Sequence, residues 1–288
     1  MKKKLLVVCG GQSSEHSISR ISCNSVMKHL DKDKYEITLV GIAKDGKWYI
    51  LKQEDNDLSK DTWLDGAEVV EGVFNLLRSQ DVAFPVLHGL YGEDGTIQGL
   101  FELAKIPYVG CGVLASAVSM DKLYTKIIVD RLGIRQAKFV GIHAYELEEF
   151  DKAPETVEEM LPYPVFVKPS KAGSSQGVNQ AKDREELQAA LLEAAKHDTK
   201  ILVEETIKGR EIECAVLGGK NVKASDVGEI KAADTFYTYE AKYNNPDSKT
   251  DTHPELPEGA LEKVREDAVA IFKAVDGFGL SRVDFFLE

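Results

Sequence analysis

The sequence predicts an α/β protein of two or three domains, and three observations carry that prediction. At 288 residues the chain exceeds what one ordinary hydrophobic core holds. An apolar run, residues 5–8, ends in Cys9-Gly10-Gly11 and is followed by Ile18, Ile21, Val26 and Leu30 at helical spacing; a strand, a Gly-rich turn and a helix open a doubly wound domain. A second apolar run, Val165-Phe166-Val167, has the β-branched and aromatic content of a buried strand and is stopped by Pro169, where a loop of small residues begins.

Composition narrows the class. With 43% hydrophobic and 29% charged residues the chain is globular, neither disordered nor membrane-embedded. A net charge of -12 argues against a nucleic-acid backbone as partner, so any phosphate site has to be a local basic island. Cys9, Cys23, Cys111 and Cys214 are scattered without a CxxC spacing, which fits reduced, structural thiols in a cytoplasmic protein. Three lysines precede Leu5, but the apolar run behind them ends at Gly10 and is too short for a signal peptide; no targeting or membrane segment is expected.

Along the chain, residues 35–42 and 47–51 read as strands around an Asp45-Gly46 hairpin turn. Residues 82–87 form a strand that ends in His88-Gly89, and an amphipathic helix starts at Thr96. Ligands of doubly wound sheets sit at the carboxyl ends of the strands, which makes Glu15 and His88 candidate ligand contacts. The alternatives are a first-turn acid that complements the helix dipole and a hydrogen-bonded scaffold histidine. Asp121-Lys122 opens a helix with Leu123, Ile127, Ile128 and Leu132 inward, stopped at Gly133. Residues 137–142 and 165–167 are strands of a middle domain, and 184–196 is a helix with Leu187, Leu191 and Leu192 inward. The strand 201–203 runs into Glu204-Glu205, a strand resumes at 211–216, 261–275 is a helix, and 281–287 is a strand with Arg282 and Asp284 on one face.

The loop after Lys168 carries the clearest chemistry. Ala172, Gly173, Ser174, Ser175 and Gly177 let backbone N–H groups approach an anion, the serines add hydroxyl donors, and Lys168 adds a full charge. That is a phosphate grip, distinct from a P-loop because no Gly-Lys-Ser/Thr follows; the plainer alternative is a Gly/Ser hairpin with a surface lysine. Glu204 and Glu205 at a strand end suit either a purine hinge or a solvated acidic turn. The aromatic-rich residues 236–243 head a long polar loop, in the manner of a lid. Arg282 and Asp284 fit a transferring phosphate and a metal, or a structural ion pair.

Seven segments then fall in one order: GGxSxEHxIS at 10–19, LHGxxGEDGTIQG at 87–99, MDK at 120–122, VKPSxxGSSxGV at 167–178, VEExI at 203–207, FYxYEAKY at 236–243 and RVDFF at 282–286. In that order, from end to end, the chain resembles the D-alanine:D-alanine ligases of the ATP-grasp fold. The resemblance implies an N-terminal doubly wound α/β domain, residues 1–110, and two α+β domains that clamp ATP: a central one, 111–207, and a C-terminal one, 208–288. It implies that ATP phosphorylates the carboxylate of one D-alanine and that the amine of a second attacks the acylphosphate, for peptidoglycan synthesis.

The same resemblance implies roles for single residues. Glu15 holds the ammonium of the first D-alanine, in a triad with Ser174 and Tyr243 that closes the lid, and His88 lies beside that amino acid. Lys122, Lys168 and Lys242 contact ATP phosphates under Ser174, Ser175 and the glycine loop. Glu204, Glu205 and Ile207 line the adenine pocket and Glu211 takes the ribose. Arg282 stabilises the acylphosphate and the tetrahedral adduct, and Asp284 ligates magnesium or manganese. In the family a further strand with a Glu and an Asn completes the metal site; the sequence as given ends at Glu288, so the C-terminal domain is expected to be shortened. A cytoplasmic homodimer acting on D-alanine and ATP, without nucleic-acid or membrane partners, is expected. The alternatives are a D-alanine:D-serine ligase, which shares these motifs, and a nucleotide-binding homologue without catalysis. A dinucleotide-dependent dehydrogenase is set aside because the third glycine of its fingerprint is missing.

Overall fold

The computed structural model describes residues 2–52, 57–148, 152–231 and 249–288, and the chain divides into two compact units, 1–117 and 118–288. In the first unit the elements are β1 (Lys3–Gly10), α1 (His16–His29), β2 (Tyr35–Ile42), β3 (Trp48–Ile50), β4 (Glu68–Val69), α2 (Val73–Arg78), β5 (Val82–Pro85) and α3 (Thr96–Ala104), with α4 (Val113–Met120) running across the boundary. The sheet order is β4-β3-β2-β1-β5, with β1 parallel to both β2 and β5 and the hairpin strands antiparallel. Helices cover both faces, so β1, flanked by β2 and β5, is buried on both: Leu6 and Val8 pack with Leu77 and Phe101 on one side, Leu5, Val7 and Cys9 with Cys23 and Trp63 on the other. The Asp45-Gly46 turn is present, with Gly46 at φ +85°.

The second unit carries two antiparallel sheets. α5 (Lys122–Arg131), β6 (Phe139–His143), α6 (Lys152–Met160), β7 (Val165–Pro169), β8 (Asn179–Ala181), α7 (Arg184–Ala195) and β9 (Lys200–Glu205) build the first, ordered β6-β9-β7-β8, over a core that includes Val165, Val167, Leu187, Leu191 and Val203. β10 (Arg210–Gly218), β11 (Lys223–Lys231), β12 (Lys249–Asp251), α8 (Ala260–Ala274) and β13 (Gly279–Leu287) build the second, ordered β12-β11-β10-β13, with Val264, Ala268 and Phe272 of α8 buried.

Several expectations change. β5 ends at Pro85; the Val86 N–H still donates to the Val8 carbonyl at 2.7 Å, but residues 86–88 belong to the loop. The buried face of α1 is His16, Ser19, Arg20 and Cys23, and Ile21 is exposed. In α5, Ile127 is exposed and Val129 is the buried apolar residue, the C-cap Leu132 is exposed, and in α7 Leu192 is exposed. Glu204 and Glu205 are the last residues of β9, which rules out a turn there.

Candidate active site

At the carboxyl end of β1 the backbone turns through Gly10 and Gly11, both at positive φ. A Cβ on Gly10 would stand 2.3 Å from the carbonyl oxygen of Ile42, so the turn admits no side chain. The polar face of α1 holds this turn. The Gly10 N–H donates to Ser19 Oγ at 2.9 Å, Ser19 donates to the Val86 carbonyl at 2.6 Å, and His16 Nδ1 lies 2.6 Å from the Gly11 carbonyl. Burial pushes the His16 pKa down despite that bond, which favours the neutral ring donating from Nδ1.

Glu15 caps the start of α1 with its backbone, and its carboxylate lies against Gly89, where a Cβ would come within 2.6 Å of Oε2. Ser13 Oγ donates to the His88 carbonyl at 2.6 Å, and His88 Nε2 lies 2.9 Å from Ser22 Oγ. Glu15 and His88 are thus brought to one end of one sheet. Beside them a cavity of about 250 Å³ opens between the glycine turn, Ile42, Trp48, Leu87 and the start of α3.

The second site centres on β7. Ser170, fully buried, spends every polar group: its N–H donates to the Lys200 carbonyl, its carbonyl accepts the Lys122 N–H, and its Oγ donates to Asp121 Oδ1 at 2.6 Å while accepting the Leu123 N–H at 3.1 Å. Asp121 caps α5 by accepting from the Tyr124 N–H and pairs with Lys200 at 2.5 Å. Burial would raise the Asp121 carboxyl, but Lys200 and Ser170 hold it below its ordinary value.

This latch sets Lys122 over the root of the loop, where its ammonium donates to the carbonyls of Ala172 at 2.6 Å and Ser170 at 3.3 Å. Lys168, delivered by β7, pairs with Glu204 Oε2 at 2.5 Å, and Lys126 pairs with Glu204 Oε1 at 2.6 Å. Burial and the nearby Lys168 bring Lys122 down to about 8. Burial alone would raise Glu204, yet Lys168 and Lys126 hold it below its ordinary value. The loop itself turns through Ser174, Ser175 and Gly177, all in the left-handed region. Glu205 accepts the Lys138 N–H at 2.8 Å.

In the last sheet Arg282 forms a two-point pair with Asp284, at 2.7 and 2.9 Å, and reaches Glu213 at 3.2 Å across the β10–β13 pairing. The oxygen donors of Asp284 and Glu213 suit a hard cation such as magnesium, which keeps few protein ligands; among the described residues no three acids, histidines or cysteines gather as a metal cluster. Ile207 follows β9 and Glu211 lies in β10. Lys242 and Tyr243, and with them the whole FYxYEAKY segment, lie outside the described residues. Sequence reasoning missed Lys126, Ser170, Lys200 and Glu213. Lys126 had a signal, since it stands four residues after Lys122 and shares its helix face. All four cysteines are free thiols, and among the described residues no helix is long and apolar enough to cross a membrane.

A glycine turn and acid at the end of a doubly wound sheet, followed by two antiparallel sheets with lysines around a small-residue loop, define an ATP-grasp ligase. The chain belongs to the D-ala D-ala ligase family: the family model for its N-terminus matches residues 4–111 and that for its C-terminus residues 128–288. The D-alanine--D-alanine ligase of Acetivibrio thermocellus is 47% identical over 315 residues, spanning 100% of this chain and 84% of the relative; that of Clostridium novyi is 49% identical over 295 residues, spanning 100% and 85%. Among solved structures, the VanG D-Ala:D-Ser ligase from Enterococcus faecalis has a TM-score of 0.89 at 38% identity, covering 99% of this chain and 86% of the other. The D-alanine-D-alanine ligase from Coxiella burnetii has a TM-score of 0.86 at 34% identity, covering 99% and 80%.

Proposed function

We propose that this protein joins two D-alanines into D-alanyl-D-alanine with conversion of ATP to ADP and phosphate, as a step of peptidoglycan precursor synthesis. The observation that carries the reading is the basic island: Lys122, Lys126 and Lys168 stand around one carboxylate, Glu204, in a chain whose net charge is -12. Excess positive charge held away from water calls for a polyanion.

In this reading Lys122, Lys168 and the Ser174-Ser175 turn bind the phosphates, with Lys242 as a third cation, while Ile207 and the end of β9 line the base pocket and Glu211 takes the ribose. Glu15 holds the ammonium of the first D-alanine beside His88, and Ser174 and Tyr243 order the lid. A carboxylate oxygen of that D-alanine takes the γ-phosphoryl group and ADP leaves. The amine of the second D-alanine forms the C–N bond at the same carbonyl carbon, the C–O bond to phosphate breaks, and the amine gives up a proton. Arg282 neutralises the oxyanion that gathers charge in this step. Asp284 would hold magnesium, which would supply charge neutralisation for the phosphates. Three domains, 1–110, 111–207 and 208–288, a homodimeric state and a cytoplasmic location remain part of the proposal.

A second reading, a D-alanine:D-serine ligase, is favoured by the likeness to the VanG enzyme. Phosphate release measured with D-alanine alone and with D-alanine plus D-serine, with the products separated, tests both. Dipeptide from D-alanine alone at the higher kcat/KM supports the first reading. Preferential mixed product supports the second, and absence of any product refutes both and leaves a nucleotide-binding protein.

A further inference from the structure

Lys126 and Lys168 share one carboxylate, but they are held differently. Lys126 is fixed on three sides: by Glu204 at 2.6 Å, by the Ala137 carbonyl at 3.2 Å and by the Phe139 ring, 5.2 Å from its ammonium. Its backbone carbonyl also accepts from Gln136 Nε2. Lys168 has Glu204 as the one acid within ion-pair distance among the described residues, with the Phe166 ring 5.8 Å away. The Lys126 side chain is 14% exposed and the Lys168 side chain 26%. Lys168 is thus the more open and the less anchored of the two.

A phosphate that binds Lys168 has to displace Glu204, and a carboxylate left bare at 10% exposure would oppose that exchange. Lys126 removes the obstacle, because Glu204 keeps one cation when Lys168 leaves. We propose that Glu204 is a placeholder anion that neutralises Lys168 until phosphate arrives, and that Lys126 is the positioning residue that retains Glu204 during the exchange. The inference rests on the phosphate-site reading above, and it gives the fourth position after the MDK lysine a role in nucleotide affinity without contact to the nucleotide.

The test uses the intact enzyme and two probes, ADP and inorganic tripolyphosphate, with binding measured by calorimetry and folding by circular dichroism. Lys126→Met is expected to weaken tripolyphosphate binding about tenfold, and Lys126→Met with Glu204→Gln to return it to within about threefold of the parent, because the uncharged amide needs no cation and this probe carries no base to meet the β9 end. Glu204→Gln alone is expected to tighten tripolyphosphate about threefold, since Lys168 then starts without a competing anion. KM for D-alanine is expected to stay constant throughout, which a general loss of structure would not allow. A double variant as weak as Lys126→Met, or a Glu204→Gln enzyme that binds tripolyphosphate no tighter than the parent, overturns the exchange; the second measurement decides even where Lys126→Met fails to fold. Lys168→Met separates the underlying reading: if it binds ADP as the parent does, the phosphate site itself is wrong, whereas lost ADP binding without coupling between Lys126 and Glu204 removes the exchange alone.

Discussion

Lys122 shows how one residue is tuned by its surroundings. Its ammonium is mostly buried and faces Lys168, which together bring it down to about 8, while Glu204, Asp198 and Asp121 pull in the other direction. The ordinary value is 10.5, so between pH about 8 and 10.5 the unfolded chain holds more protons than the folded one. The contribution of Lys122 to stability therefore rises with pH across that window, and below it the buried charge costs about 3 kcal/mol. A bound phosphate reverses the balance by favouring the cation. ADP binding at pH 8 is expected to take up about half a proton at Lys122. Calorimetry in buffers of differing ionisation enthalpy reads this uptake. It should vanish in Lys122→Met and shrink toward zero at pH 6.5, and an uptake equal in parent and variant would refute the assignment.

At the scale of elements, the strands of the first sheet were largely legible, because buried parallel strands write themselves as continuous apolar runs and a glycine turn has few substitutes. The inner faces of α1 and α5 were not. Apolar periodicity finds the side of a helix that faces hydrocarbon, but α1 turns His16, Ser19 and Arg20 inward to hold the glycine turn and the 58–60 carbonyls. α5 likewise turns Lys122 and Lys126 toward the end of the sheet and leaves Ile127 exposed. Motif order singled out Glu15, His88, Lys122 and Lys168 as candidates; Ser170 lies inside the VKPSxxGSSxGV segment without its latch to Asp121 being written there, and Lys200 has no signature because its work is tertiary. Their element-level consequence is measurable. Asp121→Ala removes the cap of α5, the Ser170 bond and the partner of Lys200, whose side chain is 15% exposed. A loss of about 3–5 kcal/mol is expected. Urea unfolding should show most of it recovered in Asp121→Asn with Lys200→Met, which keeps the cap and removes the stranded cation; no recovery would mean that the ion pair is not the source.

For the whole molecule, the division into two units puts the residues proposed for the nucleotide and for the first D-alanine in different parts of the chain. Each unit has its own buried core, with Leu6, Phe101 and Leu77 in one and Val165, Leu187 and Val203 in the other. Lys122, Lys126, Lys168, Ser174, Ser175 and Glu204 all fall within 118–288, while Glu15 and His88 fall within 1–117. A ligand that binds only a folded unit stabilises it by mass action, about 2.7 kcal/mol at a concentration one hundred times Kd. Residues 1–120, ending after α4, and residues 118–288, each produced separately, are expected to melt cooperatively. ADP should raise the Tm of the second fragment and leave that of the first unchanged. Lys168→Met in the second fragment should shrink the shift, since a cation proposed to contact the phosphates is then gone. An ADP-dependent shift in the first fragment, or none in a folded second fragment, would contradict the assignment of the nucleotide to residues 118–288.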